Sequence, residues 1–309
     1  MKTNAIALFL LMVFEYSTGL VAQTPVTHFR RITVDSLSIF YREAGDRNKP
    51  VLVLLHGFPS SSHMYQDLME DLSADFYLIA PDYPGFGNSS APIPASFHYT
   101  FDHLASTMLH FIDALGLKRY SLYLQDYGGP IGFRIATQRP RSIEALIIQN
   151  ANAYTEGLGE AIRPLLSYSR DPNPETEKGA RGILTPESTK WQYFDGAEDS
   201  SKVSPDGYIV DQFYLDRVGN DQIQLSLFRD YKSNLALYDS WHEYLRKFKP
   251  RLLVISGKND KIFVAAGASP FKRDVPGARI ELLNGGHFVL AEKHQEAAMI
   301  IRHFFSKDH

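Results

Sequence analysis

The stretch Ser121-Leu122-Tyr123-Leu124-Gln125-Asp126-Tyr127-Gly128-Gly129-Pro130 constrains this chain more than any other. An apolar, strand-like run stops at a carboxylate, two glycines follow, and a helix-like segment continues from Ile131 to Gln138. A strand that turns sharply into a helix implies a parallel sheet with helices packed on it, and it presents the turn residue beyond the strand's carboxyl end. Here that residue is Asp126. A serine at such a tip needs a base to take its proton. An aspartate, with an ordinary pKa of about 3.9, is ionised at neutral pH. A histidine partner is then free to activate water in a second step.

The rest of the pattern agrees with a sheet covered on both faces. Phe29 to Val34 and Leu37 to Glu43 read as an opening hairpin, and Val51 to Leu55 as a short, wholly apolar strand. A helix is expected from about His63 to Leu72, a strand over Phe76 to Ala80, and a helix over Phe101 to Leu115 with apolar Leu104, Met108, Phe111 and Leu115 on one face. Ile143 to Ile148 is a further buried strand. Strand alternation then stops. Residues 154–248 carry proline-rich turns and helix-like pieces such as Ser188 to Phe194 and Gln222 to Tyr231, which reads as a helical cap inserted into a core made of residues 23–153 and 249–309. Alternation resumes with Arg251 to Ser256, a helix near Ala266 to Asp274, the strand Arg279 to Leu283 and a last helix from Leu290 to Phe305.

Composition excludes several classes. The chain has 309 residues and a net charge of −3, with no strongly basic half, so nothing points to nucleic acid or an anionic membrane surface. With no cysteine, disulfides, thiolate metal sites and cysteine nucleophiles are ruled out. Met1-Lys2, the apolar run Ala5 to Phe14 and small residues up to Ala22 read as a secretory signal peptide over residues 1–22. Export to a periplasm or outward is the expectation; an uncleaved membrane anchor is the alternative. His242-Glu243-Tyr244-Leu245-Arg246 lacks the second histidine of a zinc-protease helix, and no glycine-rich strand-to-helix fingerprint for a dinucleotide is present. No metal and no cofactor are therefore expected.

Ligands of open parallel sheets bind beyond the carboxyl ends of the strands. Four motifs fall there: His56-Gly57-Phe58-Pro59, Asp126, Gly257-Lys258-Asn259-Asp260 and Gly285-Gly286-His287-Phe288. Each alone is a common loop string. Together they put a nucleophile (Asp126), an orienting acid (Asp260) and a general base (His287) in chain order at successive strand ends.

On these motifs the chain resembles the α/β-hydrolase superfamily over nearly all of the sequence after the leader. Within it, the likeness is to the epoxide hydrolase and haloalkane dehalogenase branch, whose members use Asp as nucleophile. Pro81-Asp82-Tyr83-Pro84-Gly85-Phe86-Gly87-Asn88-Ser89 is similar to that branch's loop after the fourth strand, with Asp82 and Gly85 in architectural roles. The resemblance implies an α/β-hydrolase fold: a mostly parallel central sheet flanked by helices, with an inserted helical cap. It implies an alkyl–enzyme ester on Asp126, hydrolysed by water that His287 activates. It also implies an oxyanion hole from the backbone N–H groups of Phe58 and Tyr127, with His56 and Pro59 supporting that loop. One departure stands out: the family usually keeps a small residue two before the nucleophile, and this chain has Leu124.

The leaving group separates the two branches. A halide is held by an indole N–H beside the nucleophile and a second donor from the oxyanion loop, whereas Tyr127 and Phe58 stand at those positions. Epoxide hydrolases supply two cap tyrosines to the opening epoxide oxygen, and the resemblance points to Tyr231 and Tyr168. The insertion holds several other tyrosines that would serve as packing. Trp191 and Trp241 are the only tryptophans; either is a core anchor or a pocket wall, and Trp191 as a halide ligand keeps the dehalogenase alternative open. The expected partners are a small apolar organic substrate and water. A ligand-binding protein without turnover, and an esterase or lactonase, are lesser alternatives.

Overall fold

The computed structural model describes residues 26–306. The leader expectation falls outside the described residues. Among the described residues no helix is long and apolar enough to cross a membrane.

Eight strands form one sheet: β1 (His28–Val34), β2 (Leu37–Ala44), β3 (Val51–Leu55), β4 (Tyr77–Pro81), β5 (Tyr120–Gln125), β6 (Ile143–Gln149), β7 (Arg251–Gly257) and β8 (Arg279–Leu283). Their order is β1-β2-β4-β3-β5-β6-β7-β8. The hairpin β1–β2 and the β2–β4 pair are antiparallel, and all other pairs are parallel. The wholly apolar strands read this way because both faces are covered. Leu52 and Leu54 of β3 join one apolar cluster, with α1 (Gln66–Leu72) and the last helix, while Val53 and Leu55 join the other, with α2 (Phe101–Ala114) and α3 (Gly128–Gln138). A period of two along a strand thus feeds two separate cores.

Between β6 and β7 every described regular element is helical: α4 (Arg163–Arg170), α5 (Pro174–Arg181), α6 (Pro186–Phe194), α7 (Pro205–Leu215), α8 (Asn220–Asp230), α9 (Lys232–Ala236) and α10 (Tyr238–Phe248), with short 3-10 turns. Two expected helices are corrected. The one from His63 begins as a 3-10 turn over Ser62–Tyr65 before α1. The one over Ala266 to Asp274 reduces to a 3-10 turn at Ala265–Gly267 and a single turn, α11 (Phe271–Asp274). Pro270 accounts for the second break, because it disfavours helical geometry at Ser269. The last helix, α12, runs Leu290–Ser306.

Candidate active site

Asp126 occupies the turn between β5 and α3 with φ of +47°, a left-handed conformation uncommon outside glycine. The turn is tight because α3 starts against the sheet: a β-carbon on Gly128 would lie 2.0 Å from the Leu55 carbonyl oxygen. Leu124, the departure noted above, is accommodated across the same junction. A β-carbon on Gly132 would stand 2.1 Å from Leu124 Cδ2, so the bare backbone of α3 makes room for the larger side chain.

The carboxylate is buried and held from both sides. Phe58 N–H donates to Asp126 Oδ1 at 2.7 Å, and the Tyr127 N–H also faces the carboxylate. The other oxygen, Oδ2, lies 3.9 Å from His287 Nε2. Burial pushes the Asp126 carboxyl up to about 6, although His287 and the two backbone N–H groups pull the other way. Asp126 is thus still mostly ionised at pH 7, with its carboxyl raised above the ordinary aspartate value.

His287 Nδ1 meets Asp260 Oδ2 at 2.9 Å. Asp260 Oδ1 in turn accepts from Ile262 N–H at 2.7 Å. Burial disfavours the charged imidazole, but the neighbouring Asp260 and Asp126 carboxylates outweigh it and leave His287 raised. The three strand-end residues named from sequence thus converge, with the imidazole between two carboxylates.

His56 does not join them. Its Nδ1 faces the Gly57 carbonyl at 3.1 Å and its Nε2 receives Tyr83 N–H at 3.3 Å, while Tyr83 OH donates to the His56 carbonyl at 2.8 Å. Those partners fix one neutral tautomer, and burial lowers its pKa to about 3. His56 shapes the loop that carries Phe58, and the Phe58–Pro59 bond in that loop is cis. Asp82 is likewise architectural: its oxygens accept from Ser62 N–H and Asn88 N–H, both at 2.7 Å.

Two polar residues escaped the sequence reading. Asn150, at the end of β6 with φ of +44°, donates Nδ2 to Asp260 Oδ2 at 2.7 Å and to the Gly286 carbonyl at 3.2 Å. Its own carbonyl accepts from Asp126 N–H at 3.2 Å. The strand-end rule would have found it, but an uncharged amide carries no chemical signal of its own. Gln125 is the other; its side-chain nitrogen lies 3.4 Å from His287 Nε2.

Above Asp126 is a cavity of about 60 Å³, lined by Phe58, Tyr127, Ile162, Leu165, Ile183, Trp191, Tyr231 and Ile262 among others. Tyr231 hydrogen-bonds through its hydroxyl to no described residue. Tyr168 does not line this space. It is buried, and its hydroxyl accepts from Arg229 Nη2 at 2.9 Å, so the pairing of two tyrosines is corrected to one. Trp191 is a wall of the cavity, whereas Trp241 is a core anchor stacked on Phe133 at 5.1 Å. Among the described residues no group of three or more His, Asp or Glu side chains is arranged to hold a metal ion.

Comparisons with known proteins bear on the family and the fold. The family model for the alpha/beta hydrolase fold matches residues 50–182. The Saccharomyces cerevisiae protein called uncharacterized hydrolase YNR064C is 38% identical over 270 residues, covering 86% of this chain and 92% of that one. A haloalkane dehalogenase of Psychrobacter cryohalolentis is 26% identical over 278 residues, 87% of each chain. Epoxide hydrolase 4 of Homo sapiens is 33% identical over 134 residues, 42% of this chain and 37% of that protein. Among solved structures, Cfl2 from Burkholderia cenocepacia superposes with a TM-score of 0.76 at 23% identity, covering 90% of this chain and 96% of Cfl2.

Proposed function

Because this chain belongs to the α/β-hydrolase superfamily and is related to haloalkane dehalogenases and epoxide hydrolases, we propose that it hydrolyses small apolar epoxides through an ester formed on Asp126. The observation that carries this reading is the Tyr231 phenol, whose hydroxyl bonds to no described residue, lining the same cavity as the Asp126 carboxylate. The β6–β7 insertion acts as the cap that supplies it.

Asp126 Oδ2 attacks an epoxide carbon. The carbon–oxygen bond breaks, and the ring oxygen takes the Tyr231 proton. Water then adds to the ester carbonyl carbon as His287 Nε2 accepts its proton. Phe58 N–H and Tyr127 N–H hold the resulting oxyanion. Collapse breaks the ester bond; the departing diol oxygen takes the proton from His287, and the Asp126 carboxyl returns its proton to the Tyr231 phenolate. Asp260 keeps the imidazole turned correctly through both transfers. The cavity of about 60 Å³ and its apolar walls favour compact substrates.

A single turnover of an epoxide in heavy-oxygen water tests the scheme. The first diol should carry light oxygen from Asp126, and a first diol bearing the solvent isotope would rule the ester out. A second reading, haloalkane dehalogenation, is favoured by the Trp191 indole in the cavity wall. Halide release from small bromoalkanes, with no diol from epoxides, would select it.

A further inference from the structure

We infer that Arg134 is a positioning residue: it fixes the Tyr231 phenol over Asp126 by tying the helix that begins beside the nucleophile to the segment that carries the phenol. This rests on the reading of Tyr231 as the proton donor. Arg134 lies in α3 and is only 4% exposed. Its Nε donates to Asp102 Oδ1 at 2.5 Å, its Nη1 to Asn234 Oδ1 at 2.7 Å and the Pro130 carbonyl at 3.2 Å, and its Nη2 to Ser233 Oγ at 3.0 Å. The guanidinium sits against Phe101 and Trp241, 5.8 and 5.9 Å from the ring centroids.

Tyr231 immediately precedes α9, and Ser233 and Asn234 lie in the first turn of that helix. On the other side of the phenol, Asp230 Oδ2 accepts from Phe101 N–H at 2.8 Å and from Ser233 Oγ at 3.2 Å. The Tyr231 ring then packs edge-on against Phe101 at 5.7 Å. Residues on both sides of the phenol are therefore bound to α2 and α3.

The ion pair with Asp102, whose side chain is 76% exposed, is a weak source of stability because solvent screens it. What a guanidinium adds is a rigid planar fork with several donors at fixed angles. Here those donors reach α2, α3 and α9 at once. A lysine, with one compact ammonium group, cannot span the same three partners.

The test is a double-mutant cycle on Arg134→Lys and Tyr231→Phe, read in single turnovers with 1,2-epoxybutane that separate ester formation from ester hydrolysis. With Tyr231 present, Arg134→Lys should slow ester formation by about tenfold or more and change hydrolysis by less than about twofold, as expected for a misplaced reacting group. With Phe at 231, the same change should slow ester formation by less than about twofold, because the group it positions is gone. Equal losses in both backgrounds, or equal slowing of both steps, would overturn the inference while leaving the donor assignment intact. A Tyr231→Phe variant that forms ester at the normal rate would overturn both. If Arg134→Lys does not fold, Asn234→Ala, which removes one acceptor and leaves α3 whole, should give the same pattern with a smaller loss, and an unchanged rate of ester formation in it would count against the inference.

Discussion

Leu124 fills the space that a side chain at Gly132 would need, its Cδ2 lying 2.1 Å from where that β-carbon would stand. The two positions form a size pair across the β5–α3 junction, so the larger residue before the nucleophile is tolerated only with no side chain opposite. Gly132→Ala should overpack the junction and destabilise the protein by roughly 1–3 kcal/mol. Denaturant unfolding measures this. Adding Leu124→Ala should recover part of the loss, and strict additivity of the two changes would refute the pairing.

Asp126 links stability to pH. Its carboxyl is raised from 3.8 to about 6, chiefly by burial. A raised carboxyl favours the protonated folded state, so its contribution is fully present below pH 3.8 and is lost as pH climbs through about 6. At pH 8 the ionised carboxylate costs roughly 3 kcal/mol relative to its unfolded reference. Asp126→Asn should therefore be the more stable protein at pH 8, with the gap narrowing toward pH 4. Unfolding curves at both values check this; a gap independent of pH would contradict the raised carboxyl.

His287 is raised by Asp260 and Asp126 beside it, against the effect of burial. Water activation needs the neutral ring, so ester hydrolysis should rise with pH through the midpoint of the His287 titration; in the ester Asp126 carries no charge, and Asp260 is left as the carboxylate that supports the charged ring. Asp260→Asn removes one supporting charge and should move that midpoint downward. It should also lower the plateau by about 10²–10⁴-fold as the ring loses its orientation. Pre-formed ester, followed by mass spectrometry across a pH series, gives both numbers. An unmoved midpoint would separate Asp260 from the base.

Tyr168 and Tyr231, both pointed to by the resemblance, should behave differently. Tyr168→Phe removes only the acceptor for Arg229 and should cost about 1 kcal/mol of stability with little change in ester formation. Tyr231→Phe should slow ester formation with epoxides far more than ester hydrolysis. Comparable kinetic losses in the two variants would return Tyr168 to the chemistry.

The strand-end residues were legible because a parallel sheet places its chemistry by rule: Asp126, Asp260 and His287 each follow an apolar run at a predictable edge. The insertion obeys no such rule. Whether Tyr168 or Tyr231 reaches the cavity depends on helix packing, and Tyr168 is withheld by Arg229, which lies far along the chain. Titration was equally hidden. The type of residue at 126 could be read, but its raised carboxyl follows from how completely the fold buries it. Asn150 shows a third limit, since an amide becomes visible only when its partners, Asp260 and Gly286, are in place.

The histidine follows an edge strand of the sheet. Among the described residues β8 pairs with β7 alone, no strand lies on its other flank, and Leu282 on it is 44% exposed. A border strand of this kind frays before the interior gives way. Mild warmth or dilute urea would then silence turnover by detaching His287 while the central strands, and the helical signal they support, persist: the molecule would go quiet before it melts.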